Sequence, residues 1–157
     1  MTSVLSEKNL NRLQELKKRY QHPQSAVLDA LWMWQEEHGW ISEDGMKYIA
    51  DQLGIPHEHV YGLVSFYTMF NRRPVGKHKL EVCTNVSCML RNSARLLDHI
   101  QQTLHVKVGE TTPDKRFTLV EAECLGSCGT APVMQVGDEY YENLDEAKVD
   151  RILQSLK

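Results

Sequence analysis

The chain has 157 residues, 41% of them hydrophobic and 25% charged, and a formal charge of −3. That length suits one domain, or a small domain beside a helical appendage, and the composition is that of an ordinary globular protein. It excludes a disordered chain, a collagen-like chain and a disulfide mini-scaffold, and neither half has the basic excess of a nucleic-acid binder.

No apolar run approaches the ~20 residues needed to span a bilayer. Met1 to Leu10 lacks the charged start and apolar core of a secretory leader. The expectation is a cytoplasmic protein with no direct membrane insertion. In that compartment four cysteines are read as metal ligands or reactive thiols rather than as disulfides.

Residues 6–73 read as helical. Leu10, Leu13, Leu16 and Tyr20 recur at helical spacing behind a capping Ser6. A second helix opens near Ser25 and carries Val27, Leu28, Leu31, Trp32 and Trp34, with Gly39 as its stop. A third follows Ser42, places Glu43 and Asp44 in its first turn, buries Met46, Ile49, Ala50 and Leu53, and ends at Gly54. Pro56 opens a fourth, which is expected to reach about Phe70. Arg72 to Gly76 reads as a linker.

Beyond Gly76 the pattern changes. His78 to Cys83 alternates as a strand. Ser87 to Leu104 reads as one long helix with Leu90, Ala94, Leu97 and Ile100 on one side. Strands are expected at Arg116 to Ala122 and Pro132 to Val136. Gly137-Asp138 turns the chain into Glu139 to Glu142 as a hairpin. Asp145 to Leu156 closes the chain as a helix with Val149, Ile152 and Leu156 inward.

All four cysteines fall in this second half, as two clips. Cys83 and Cys88 form C-x4-C; Cys124 and Cys128 form C-x3-C. Each clip follows a strand, so two loops leaving one end of a sheet can converge on one site. Four thiolates there suit tetrahedral zinc or an iron–sulfur cluster. Structural zinc most often uses C-x2-C knuckles, which neither clip matches, whereas an elongated 2Fe-2S cluster tolerates wider clips. Gly126 and Gly129 flank Cys128 and would let backbone N–H groups approach sulfur. Neither clip is the C-x-x-C of a dithiol oxidoreductase.

These residues carry a resemblance. Val82-Cys83-Thr84-Asn85-Val86-Ser87-Cys88 and Glu123-Cys124-Leu125-Gly126-Ser127-Cys128-Gly129-Thr130-Ala131-Pro132 resemble the E-subunit family of NADH-quinone oxidoreductases (respiratory complex I), thioredoxin-like 2Fe-2S ferredoxins. Gly62-Leu63-Val64-Ser65-Phe66-Tyr67 and the Pro74-Val75-Gly76-Lys77 linker are also similar. The resemblance runs from about Leu10 to Leu156. It implies a mixed α/β (α+β) fold, with an N-terminal helical bundle over 1–73 and a thioredoxin-like domain over 74–157. It implies one 2Fe-2S cluster on Cys83, Cys88, Cys124 and Cys128, and no catalytic residue in this chain. It further implies a flavoprotein partner, the F-subunit, holding FMN and NADH, and a peripheral place on the cytoplasmic side of the inner membrane. The cluster would take one electron from the neighbouring flavin. The same family includes the diaphorase subunits of NAD-linked hydrogenases and formate dehydrogenases, an alternative the sequence leaves open. One departure is Asn92, where the family often has Gly. It falls inside the predicted helix and is expected to affect the cluster little.

Three further signals have other readings. Glu81, Glu121 and Glu123 lie near the cysteines, and charges facing a cluster would lower its potential; as solvated strand-end acids they would not. Ala50, Leu53, Gly54, Ile55 and Val60 match helix-turn-helix spacing, the mark of a zinc-stabilised regulator. Yet Pro56 to Phe70 has no Lys or Arg to meet phosphate, so this segment is read as packing on a partner. His57 and His59, two apart in a helix, point in different directions and are read as surface or packing residues. Trp32, Trp34 and Trp40 are read as core or interface.

Overall fold

The computed structural model describes residues 4–156. Met1 to Ser3, the first residues of the stretch read for a leader, lie outside the described residues, as does Lys157. The chain packs as two units that divide between Pro74 and Val75.

The first unit is helical. α1 (Glu7–Arg19) starts at Ser6, whose hydroxyl accepts the Asn9 N–H at 3.3 Å. Glu7 in its first turn and Lys17, Lys18 and Arg19 in its last complement the helix dipole. A 3-10 turn over Pro23–Ala26 leads into α2 (Val27–His38), which Gly39 ends in the left-handed conformation, φ 78°. α3 (Glu43–Leu53) is capped by Ser42, which accepts the Gly45 N–H at 3.1 Å. α4 (His57–Phe66) has Pro56 as its flanking residue. Leu13, Leu31, Met33, Trp34, Ile41, Ile49 and Leu53 form the core. The Trp34 ring packs against Gly45, where a Cβ would come 2.5 Å from it.

α4 ends four residues before the expected Phe70. The reason is tertiary. The Gln35 amide donates to Met69 O at 3.0 Å and accepts Asn71 N–H at 2.6 Å, while Ile41 N–H donates to Asn71 O at 2.8 Å. These bonds draw the chain off the helix axis and fold Phe70 into the core, edge-on to Trp32.

The second unit holds a four-stranded mixed sheet with the order β2-β1-β3-β4. β1 (His78–Cys83) runs parallel to β2 (Phe117–Ala122) and antiparallel to β3 (Met134–Val136), which forms a hairpin with β4 (Glu139–Tyr141). A parallel pair needs a crossover, supplied by α5 (Val86–Leu90) and α6 (Ser93–Leu104). α7 (Glu146–Ser155) closes the fold, with the Asp145 carboxylate accepting Lys148 N–H at 2.7 Å. Leu80, Val82, Ile100, Phe117, Leu119, Met134 and Val149 fill the core.

The single helix expected over Ser87 to Leu104 is two helices. Asn92 stands between them at φ 65°, ψ 34°. That left-handed backbone is cheap for Gly and tolerable for Asn; the position joins two helices and is not helix interior. The break changes the helical phase. Leu96, Leu97 and Ile100 turn inward, whereas Leu90 and Ala94, expected on the same side as Leu97 and Ile100, face solvent. β3 is also shorter than expected, because Pro132 and Val133 precede its ladder.

Candidate metal centre

β1 and β2 run parallel with Cys83 level with Ala122, so both strands deliver their cysteine loops at one end of the sheet. Cys83 ends β1, Cys88 lies in α5, and Cys128 opens a short 3-10 turn over Cys128–Thr130. Thr84 N–H donates to Ala122 O at 3.2 Å. The Asn85 amide donates to Glu123 O at 2.7 Å, and its oxygen accepts Val86 N–H at 2.7 Å. One side chain thus fixes both the start of the helix that carries Cys88 and the approach to Cys124.

All four thiols are free; Cys83 and Cys88 are buried, Cys124 and Cys128 exposed. Burial pushes the Cys83 thiol up, but N–H groups of Asn85 and Leu125 and the Cys88 thiol, all directed at its sulfur, hold it below the ordinary thiol value. Leu125 belongs to the other clip, so the two loops meet at this sulfur. Cys88 is pushed up to about 11, first by burial, then by its bond with Cys83 and by the charges of Cys83 and Cys128, against the Val133 N–H. Cys124 Sγ accepts Gly126 N–H at 3.4 Å, from a glycine at φ 78°. The structure therefore brings Cys83 and Cys88 into direct contact and Cys128 into electrostatic range, and leaves Cys124 bonded within its own loop. Gly126 makes the expected N–H approach to sulfur; a Cβ at Gly129 would meet nothing within 4 Å.

The hairpin braces the second clip. Tyr140 OH donates to Leu125 O at 3.0 Å. Ser127 Oγ and Thr130 Oγ1 both donate to the Glu142 carboxylate, the latter at 2.7 Å. These two bonds hold Glu142 below the ordinary carboxylate range. Sequence patterns did not single out Asn85, Tyr140 or Glu142. Asn85 had a usable signal, a capping residue inside a clip; Tyr140 and Glu142 had none, since their partners lie 15 and 12–15 residues away.

The other candidates sort differently. Glu81 pairs with Lys79 at 2.9 Å, which offsets its charge, while Glu121 and Glu123 are exposed or nearly so at the strand end. His59 is exposed and His57 half-buried, its Nε2 without a hydrogen-bond partner among the described residues. Trp34 is core, Trp40 half-buried and Trp32 partly exposed. Beside the thiols, α5 presents Val86, Met89 and Leu90 to solvent, Leu90 at 75%. A cleft of about 380 Å³ opens between Leu90, Arg91 and Cys128.

The family model for thioredoxin-like 2Fe-2S ferredoxins matches residues 13–157. The chain belongs to this ferredoxin family. Its relatives include an E-subunit (E 2) of NADH-quinone oxidoreductase from Rhizobium meliloti, 48% identical over 88% of this chain and 83% of the relative. Another is the NADH-quinone oxidoreductase E-subunit of Rickettsia prowazekii, 40% identical over 98% of this chain and 88% of the relative. Among solved structures, a chain of the NAD+-reducing NiFe hydrogenase in its H2-reduced state has the same fold. The TM-score is 0.72 at 19% identity, over 83% of this chain and 22% of that one. The family match covers α3 and α4 as well, so the helix-turn-helix spacing is part of a ferredoxin-family chain.

The ferredoxin cofactor is a 2Fe-2S cluster, and the residues present fit one. Four cysteine sulfurs are the usual donor set for two irons, and the Gly126 N–H already donates to Cys124 Sγ at 3.4 Å.

Proposed function

We propose that Cys83, Cys88, Cys124 and Cys128 hold one 2Fe-2S cluster and that the chain is the electron-transfer subunit beside the flavin of an NADH dehydrogenase module in NADH-quinone oxidoreductase. The observation that carries this reading is the meeting of the two clips, where the Asn85 amide of one loop donates to Glu123 O of the other at 2.7 Å and Leu125 packs against Cys83 and Cys88. Relatives named as the E-subunit of that complex, at 48 and 40% identity, support this placement over a hydrogenase or formate dehydrogenase diaphorase.

When bound, the cluster supplies a site for one electron at a time. The chain's own residues set its surroundings. The N–H groups of Asn85, Leu125 and Gly126 stabilise negative charge on sulfur. Burial of Cys83 and Cys88 keeps water from one side, while Cys124 and Cys128 face outward. Electrons pass at short range, so the partner is placed against this face, where Val86, Met89 and Leu90 offer an apolar collar. That partner is the FMN- and NADH-binding flavoprotein, the F-subunit of the complex. No described helix is long and apolar enough to cross a membrane, and the proposed place is peripheral, on the cytoplasmic side. The division after Pro74 supports separate domains at 1–73 and 74–157.

The test is anaerobic mixing of cluster-loaded protein with the flavoprotein subunit and NADH. The cluster's visible absorbance should bleach only when both are present. A loaded chain that binds the flavoprotein yet is not bleached would overturn the proposal.

A further inference from the structure

Two of the four thiols are exposed, on a loop whose own regular structure is one 3-10 turn. Such a loop needs outside support to keep sulfur positions fixed, because ligand geometry depends on the groups that orient the ligands. Asn85 holds the approach to Cys124; beyond it, the support comes from the β3–β4 hairpin and the residues after it. Tyr140 OH donates to the carbonyl of Leu125 at 3.0 Å, and that same Leu125 packs against the buried Cys83 and Cys88. Glu142 accepts from Ser127 and Thr130, which bracket Cys128. Thr130 O accepts Asn143 N–H at 2.7 Å, so main chain and side chains of this segment grip the loop together.

We infer that Tyr140 and Glu142 are positioning residues for the exposed thiol pair, locking the Cys124–Cys128 loop in the shape that receives the cluster. The inference rests on the ligand set proposed above. Tyr140 fixes the loop's first half and its link to the buried thiols; Glu142 fixes the second half through two hydroxyls. Neither touches a sulfur.

The test uses the full chain, loaded and reduced anaerobically, in four variants: Tyr140→Phe, Glu142→Ala, Glu142→Gln, and Glu139→Gln as a control on the same strand. Release of iron to a chelator and the EPR line shape are read together, with circular dichroism to follow the fold. Glu142→Ala and Tyr140→Phe should release iron about tenfold faster than the parent and should shift or broaden the EPR signal while circular dichroism stays unchanged. Glu142→Gln, whose amide oxygen still accepts from Ser127 and Thr130, should keep the parent line shape, as should Glu139→Gln. Should Glu142→Ala not fold, Tyr140→Phe removes a single oxygen and carries the test. Parental release rates and line shapes in Tyr140→Phe and in folded Glu142→Ala overturn the inference and leave the ligand set standing. A parent chain that takes up no iron and sulfide overturns both.

Discussion

Asn92 shows how much a single backbone conformation decides. At φ 65° it ends α5 and starts α6, and that region costs an L residue about 1–2 kcal/mol unless it is Asn or Asp with a local bond. Asn92→Val should therefore lower stability by about 1–2 kcal/mol in urea unfolding, while Asn92→Gly should hold or raise it. Glu37 makes a second residue-scale case. Burial pushes its carboxyl up, but Ser6 and Asn9 donate to it and hold it below its ordinary 4.5. A depressed folded value means stability that is present above 4.5 and is lost as pH falls through the folded value. The parent chain should lose stability over that acid window, and Glu37→Gln should show a flatter acid limb in unfolding midpoints measured against pH.

At the scale of elements, packing and local signals divide the work. Ser6, Gly39, Ser42, Gly54 and Asp145 set helix ends where the sequence alone placed them, because caps act on their own first or last turn. The parallel placement of the two clips was legible for a similar reason: each follows a strand, and strand patterns are local. The ends of α4 and of the expected long helix were not. Gln35 reaches 34 to 36 residues along the chain to hold Met69 and Asn71, and no periodicity reveals such a bond. Leu90, Ala94, Leu97 and Ile100 form a continuous helical stripe, so the pattern conceals a break that Asn92 imposes. The braces from Tyr140 and Glu142 were illegible on the same grounds, being side-chain bonds between separate loops. Packing also makes a prediction for α2 and α3. Gly45→Ala puts a methyl 2.5 Å from the Trp34 ring in a filled core, and should cost about 1–3 kcal/mol, read as a lowered urea midpoint at unchanged slope.

At the scale of the whole molecule, the surface divides by function. The exposed face of α5 adjoins the thiols, and in the helical unit Tyr61, Phe66 and Met69 are also exposed, Phe66 at 76%. Apolar groups left in solvent on a short helix beside a redox centre are those a partner would cover. Leu90→Asp should weaken binding to the proposed flavoprotein partner about 30-fold, the equivalent of about 2 kcal/mol, measured by titration of the loaded chain. Its EPR spectrum should not change, since the Leu90 side chain is 75% exposed. The central claim, four cysteines around two irons, is tested most directly by iron, zinc and acid-labile sulfide analysis of anaerobically purified protein, with EPR after dithionite reduction. The expected result is about two irons and two sulfides per chain and a rhombic spin-half signal, both lost in Cys83→Ser. One zinc, no sulfide and no signal from protein never exposed to air would contradict it.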